Sequence, residues 1–186
     1  MAASPVSGSA MRTSTELLAQ YAAYHRDRRN IISHFVGVPL IVFAVGVLLA
    51  RPVLATAGGV ALTPASLLFL VVAGWYVTRG SALLGVAVSA VVAALLLLGQ
   101  RTADGSVSVW LGWGLGCFAI GWVIQFIGHW YEGRKPAFVD DLVGLLVGPM
   151  FVVAEAMFML GWNKPLQDAI EQRVGPTTMR DMARIA

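Results

Sequence analysis

Three histidines, His25, His34 and His129, are the whole imidazole complement of this 186-residue chain. Neutral imidazole binds iron and zinc, and three nitrogens that converge with coordination positions left open make a catalytic metal site. Spacing sets a condition. Residues 25 and 34 are nine apart, which on one straight helix is about 900° of rotation and therefore opposite faces. They can share an ion only if the chain turns between them, and Asn30, a capping residue type, supplies that turn. The competing reading is that histidines at a membrane surface are only amphipathic anchors. Glu132 lies three residues after His129 on the same helix face. It is a candidate fourth ligand, a partner for an imidazole, or a solvated charge at a helix end. Glu155 sits within an apolar run, where an acid is expensive and usually functional; its alternative is pairing with a buried arginine or a backbone group. Arg26, Arg28, Arg29, Arg134 and Lys135 ring the same surface. They read as headgroup contacts, with one of them free to receive the carboxylate of a lipid-derived acid. Tyr21, Tyr24 and the tryptophans read as interface anchors and packing.

The elements that must position these groups are membrane helices. The chain is 58% hydrophobic and only 12% charged, about half the charge of an ordinary soluble domain. That excludes a disordered protein, a coiled coil and a soluble globular domain. No Asp, Glu, Lys or Arg occurs in 30–50, 52–78, 80–100 or 105–131, and a helix needs about 20 mainly apolar residues to cross a bilayer. The single cysteine, Cys117, excludes a disulfide framework and a cysteine metal site. The net charge of +3 reflects topology and anionic headgroups rather than nucleic acid, and no aromatic-interleaved basic patch is present. G-x-S-x-G, P-loop, G-x-G-x-x-G and Cys-x-x-Cys motifs are absent. Three histidines also cannot build the histidine-rich di-iron centre of membrane hydroxylases, so an enzyme here would use one metal ion.

Along the chain, 1–13 reads as a disordered N-terminus, 14–161 as a single membrane catalytic domain and 162–186 as a cytoplasmic tail. Ser14 or Thr15 is expected to cap a short helix running to about Arg28, whose Leu17, Leu18, Tyr21 and Tyr24 face marks it as interfacial. Asn30 would cap a first span over 31–50, kinked at Pro39. Further spans are expected at 60–78, 81–99 and 107–131, the last carrying Gly112, Gly114, Gly116, Gly121 and Gly128 for close helix approach. The stretch 139–161 starts with Asp140 and Asp141 as caps and is broken at Gly148–Pro149. It is either a fifth span or a re-entrant hairpin. The fold class is all-α: a polytopic membrane protein with four transmembrane helices, an N-terminal interfacial helix and this C-terminal hairpin or fifth span.

Counting Lys and Arg sets an orientation. With the N-terminus cytoplasmic, Arg12, Arg26, Arg28, Arg29, Arg79, Arg134 and Lys135 lie inside and Arg51 and Arg101 outside. A hairpin keeps Lys164, Arg173, Arg180 and Arg184 inside as well, which favours it over a fifth span. The same topology puts all three histidines at the cytoplasmic surface. The Ala/Gly/Val-rich composition points to a bacterial inner membrane; a eukaryotic chain would sit in the endoplasmic reticulum.

The segment from Tyr24 to Pro39, YHRDRRNIISHFVGVP, resembles the signature Y-H-x(4)-N-x(3)-H-x(2)-G-x-P. Gln125-Phe126-Ile127-Gly128-His129 with Glu132 to Ala137 resembles a second block of the same family, and Gly148 to Glu155 a third. The family is that of membrane 2-hydroxy fatty acid dioxygenases, first known from yeast metabolism of phytosphingosine to odd-numbered fatty acids, with many bacterial members; the resemblance covers roughly 20–160. It implies an Fe2+-dependent dioxygenase of fatty-acid alpha-oxidation, which uses O2 to convert a 2-hydroxy fatty acid to an acid one carbon shorter without 2-oxoglutarate. It implies His25, His34 and His129 as iron ligands. Family members can carry additional histidines that this chain lacks, so Glu132 and Glu155 are the candidates to complete the site, with Arg26, Asn30, Arg134 and Lys135 as substrate-binding candidates. The bilayer is the implied partner, nucleic acid is not, and a homo-oligomer is left open. Two other classes compete: a small proton-coupled transporter working through Glu155, and a non-catalytic lipid-binding membrane protein.

Overall fold

A computed structural model describes residues 11–182. It is built from seven α-helices: α1 (Ser14–Ala22), α2 (Arg28–Leu49), α3 (Pro64–Val77), α4 (Ala82–Thr102), α5 (Val107–Glu132), α6 (Gly144–Met159) and α7 (Lys164–Val174). The exceptions to helix are a 3-10 turn at Ala137–Val139 and an antiparallel pair, β1 (Ala55–Ala57) with β2 (Val60–Leu62). Helices α2, α4 and α5 are each long and apolar enough to cross a membrane. Outward faces of the bundle, including Val36 on α2, Leu70 and Val71 on α3, Leu97 on α4 and Ile120 and Val123 on α5, are exposed. A mantle of that size is untenable in water. The chain is an all-α polytopic membrane protein.

Helix α2 is the central member, packed most extensively on α5 and next on α4. Small residues set those approaches. A Cβ on Gly37 would lie 2.9 Å from the Gly121 carbonyl oxygen, and one on Gly121 3.0 Å from that of Gly37. Gly114, Gly121 and Gly128 recur every seventh residue, two helical turns, and all three face α2; Gly112 and Gly116, also expected to serve close packing, meet open space. Gly37 is three residues from His34. Gly37→Leu is therefore expected to force α2 and α5 apart, costing about 1–3 kcal/mol and separating His34 from His129. Thermal unfolding and metal content in detergent check both; an unchanged metal content would show that this packing does not set the site.

Several boundaries differ from those expected. Thr13, rather than Ser14 or Thr15, caps α1 through a capping box with Glu16, and the helix ends at Ala22. The Leu17, Leu18 and Tyr21 face is buried in the protein core instead of lying on headgroups, because α6 and α7 pack over it. Residues 1–10 of the expected disordered segment lie outside the described residues, whereas Arg12 is placed by hydrogen bonds to Gln20 (2.8 Å) and Asp141 (2.7 Å). Asp27 caps α2 in place of Asn30, and the helix continues through Pro39. The expected span at 60–78 is shorter: Thr63 and Pro64 start α3, a cap followed by proline at the first turn. Its 14 residues reach about 21 Å, less than the roughly 30 Å hydrocarbon core.

The C-terminal third departs most. Helix α6 runs unbroken through Gly148–Pro149, and the reversal comes at residues 160–163, where α6 and α7 bend by 118°. The break sits where Leu160–Gly161–Trp162–Asn163 cannot continue a helix; Gly161 and Asn163 both have positive φ. Asp141 accepts from the Val143 backbone just before α6, while Asp140 instead takes the Tyr24 hydroxyl (2.8 Å) and Lys135. The expected tail is packed through its described part. Leu166 and Ile170 of α7 enter the core, and residues 175–180 fold back on the chain between α1 and α2. Arg184 lies outside the described residues.

Candidate metal centre

The polypeptide leaves helix over residues 23–27, between α1 and α2, and this break places His25 against His34. Asp27, which caps α2, holds the break. Its side chain accepts from the Arg29 backbone (2.9 Å) and guanidinium (3.0 and 2.7 Å), and from the Arg180 backbone (2.8 Å). Burial works to raise the Asp27 carboxyl, but these donors outweigh it and hold the group down at about 2, so it is ionised throughout the physiological range. Thr178 adds a strand-like pairing, accepting from Arg28 N (2.9 Å) and donating its own N–H to Arg26 O (2.8 Å).

The three histidines are 0%, 1% and 5% exposed for His25, His34 and His129. Their rings stand edge to face: centroids are 4.4 Å apart for His25–His34, 4.8 Å for His25–His129 and 5.3 Å for His34–His129. One ligand nitrogen from each lies within 4.8 Å of the others. Two of the rings have fixed tautomers. His25 Nδ1 is 2.7 Å from the Tyr21 carbonyl oxygen and His34 Nδ1 is 2.9 Å from that of Asn30, each one helical turn earlier. A carbonyl only accepts, so the ring proton is on Nδ1 and the Nε2 lone pair is free. Those two Nε2 atoms face each other at 2.9 Å, and His129 Nδ1 is buried without a partner.

This arrangement fits a cation. Two lone pairs directed at one another repel unless a positive charge lies against both. Nitrogens at roughly 2.1 Å from a common ion in adjacent positions are themselves about 3 Å apart, close to the observed separation. Burial pushes the His25 imidazole well below its ordinary range, with His34 and His129 acting in the same direction, which keeps it neutral and able to ligate. Three neutral imidazoles accept several transition metals and leave positions open for exogenous ligands.

Of the other residues singled out from sequence, Glu132 serves the chain rather than the group. Its Oε1 accepts from Arg26 N (2.9 Å), and its Oε2 from Asp27 N (2.8 Å) and the Asn30 side chain (3.1 Å). It ties the end of α5 to the loop that carries His25. Asn30 also donates to the Tyr24 carbonyl (3.2 Å), and its own Oδ1 is buried and unpaired. Glu155 is not drawn in; it lines a separate apolar groove with Arg28, Ile32 and Phe35 and interacts electrostatically with Arg26. Arg26 is half-buried and donates to the carbonyls of Ala22, His25 and Gly175. Arg134 donates to the Ala23 carbonyl (2.8 Å), and Lys135 pairs with Asp140.

Two residues were missed or undervalued. Tyr21, read as an interface anchor, is buried and stacked on His25 at 4.1 Å and 6°. Gln125 is buried with an unpaired Oε1. Both line a cleft with His34 and His129, walled by Val38 and Trp122. The available signal was spacing: Tyr21 precedes His25 by four residues, and Gln125 precedes His129 by four.

Residues 11–160 match the family model described as 2-hydroxy-palmitic acid dioxygenase Mpo1-like. The chain is 32% identical over 156 residues to the 2-hydroxy-palmitic acid dioxygenase MPO1 of Saccharomyces cerevisiae, covering 83% of this chain and 85% of that protein. No solved structure matches it.

Proposed function

Because the chain belongs to the Mpo1-like family, a family of 2-hydroxy fatty acid dioxygenases, we propose that His25, His34 and His129 hold Fe2+ and that the protein shortens 2-hydroxy fatty acids by one carbon. The observation that supports the metal most directly is the pair of facing Nε2 atoms, each with its proton already committed on the other side of the ring. Ferrous iron there would supply O2 activation.

The protein's own residues do the rest. The carbonyls of Tyr21 and Asn30 orient two imidazoles, and α2–α5 packing delivers the third. The cleft beside His34 and His129 is mostly apolar, which excludes water and suits the first carbons of an acyl chain whose tail lies among lipid-facing helices. Holding the head group against the histidines converts an encounter between acid and oxygen into a positioned reaction. The atoms balance without a co-reductant. The C1–C2 bond breaks, C2 becomes the carboxyl of the shorter acid, C1 leaves as CO2, and the four electrons reduce O2, one water being released. Arg26, Arg134 and Lys135 hold the loop and the α5 terminus by hydrogen bonds and an ion pair. The distribution of basic residues along the chain supports a site on the cytoplasmic side of the membrane. Glu155 has Arg26 as an electrostatic partner, the pairing expected of an acid that is not a transport group.

Iron-loaded protein given 2-hydroxypalmitate and O2 is expected to form pentadecanoate with one O2 consumed per product. Palmitate should give none. Gas chromatography and an oxygen electrode read this, and stoichiometric iron without C15 acid would remove the proposal.

A further inference from the structure

We propose that Gln125 selects 2-hydroxy acids by accepting a hydrogen bond from the substrate's 2-hydroxyl in the cleft beside the histidines; this rests on the dioxygenase reading above. The side chain is 6% exposed, and its Oε1 is buried without a partner. An unpaired buried acceptor of this kind costs about 1–3 kcal/mol and calls for a donor. The same cleft is lined by His34 and His129, and Gln125 precedes His129 on α5 by one helical turn. Around it the walls are Val38, Ile41 and Trp122.

The side chain is also held in place. Gly37 on α2 leaves the room it occupies: a Cβ there would lie 3.1 Å from Gln125 Cγ and 3.2 Å from Cδ. An acceptor so confined is positioned before the ligand arrives, which is what turns a hydrogen bond into discrimination.

The chemistry follows from the donor and acceptor inventory. A hydroxyl that turns its oxygen toward a cation points its proton away, and that proton needs an acceptor. Glutamine offers a neutral one and so does not repel the adjacent carboxylate, as Asp or Glu would. A plain fatty acid brings no donor and leaves Oε1 unpaired. A 2-oxo acid brings a second acceptor against the first.

The test is anaerobic binding of 2-hydroxypalmitate and palmitate to iron-loaded, detergent-solubilised protein, with iron content measured on the same samples. Gln125→Met keeps the shape and removes the acceptor. It is expected to retain stoichiometric iron and palmitate affinity within twofold, while binding 2-hydroxypalmitate about tenfold more weakly. Gln125→Glu keeps an acceptor oxygen; both acids should bind more weakly, with the preference for the hydroxy acid preserved. A wild-type preference surviving in Gln125→Met overturns the proposal, as does loss of iron in that variant, which would assign Gln125 to the metal centre. If wild-type protein binds iron but neither discriminates between the acids nor forms C15 acid, the dioxygenase reading fails and takes the selector with it.

Discussion

Replacing His129 by alanine is expected to leave a folded protein that carries no stoichiometric metal and turns over at under one percent of the wild-type rate. His129 is the sole member of the triad on α5; the other two come from the α1–α2 loop and α2. Removing it leaves two nitrogens, and even disturbing an outer partner of a metal ligand typically costs 10–100-fold in affinity. Stability should respond differently. Alanine creates a cavity, which costs roughly 2–4 kcal/mol for a large buried side chain, but it also removes a buried ring nitrogen with no partner in the metal-free protein, worth about 1–3 kcal/mol in the other direction. The metal-free melting temperature is therefore expected to change little while the metal-dependent increase disappears. Metal analysis by mass spectrometry together with thermal unfolding, with and without added iron, separates the two. Retention of stoichiometric iron by His129→Ala would show that this cluster is not the metal site.

The second large effect belongs to Glu132, a positioning residue. Its carboxylate takes two backbone N–H groups and the Asn30 amide, and every one of these bonds restrains the segment that carries His25 or begins α2. Glu132→Ala leaves those donors without a partner, an expected loss of about 2–4 kcal/mol, and loosens the loop so that iron affinity drops 10–100-fold. Glu132→Gln keeps one acceptor oxygen and should recover part of both. A purely structural role would lower stability and leave the metal alone, so the decisive readouts are the iron dissociation constant and amide exchange at Arg26 and Asp27. Faster exchange at both with weaker iron binding is the expected pattern. Unchanged iron affinity in Glu132→Ala would end the positioning role.

Much of the bundle is legible in the sequence. The span expected at 107–131 is α5 at Val107–Glu132, and that at 81–99 is α4 at Ala82–Thr102, because an uninterrupted apolar run bounded by polar caps has one stable form in lipid. Ser106 and Ser81 are those caps. Of the five glycines expected to serve close packing on α5, Gly114, Gly121 and Gly128 do so, while Gly112 and Gly116 meet open space. Failures fell where local pattern is ambiguous. Gly148–Pro149 reads as a breaker, yet the flanking residues are packed on both sides and the helix carries it; the actual reversal, at 160–163, has only Gly161 and Asn163 to announce it. The α1 face was amphipathic as expected, but amphipathicity says that a face is covered and not by what. Here α6 and α7 cover it.

The candidate site divides in the same way. The chemistry of His25, His34 and His129 and their gathering at one end of the bundle follow from residue type, hydropathy and the distribution of Lys and Arg, all of which are local or additive along the chain. Their convergence does not. It depends on Asp27 turning the chain, on Glu132 and Thr178 fastening that turn from more than 100 residues away, and on glycine contacts that let α2 and α5 approach. The roles of Glu132 and Gln125 were likewise undecidable from spacing, since a carboxylate or amide three or four residues from a histidine shares its helix face whether it points at an ion, a backbone amide or an empty cleft. Sequence determined which groups this protein has and at which end of the bundle they gather. Which atoms meet was decided by the tertiary structure, because hydrogen bonding between distant segments is set by packing and not by any periodicity along the chain.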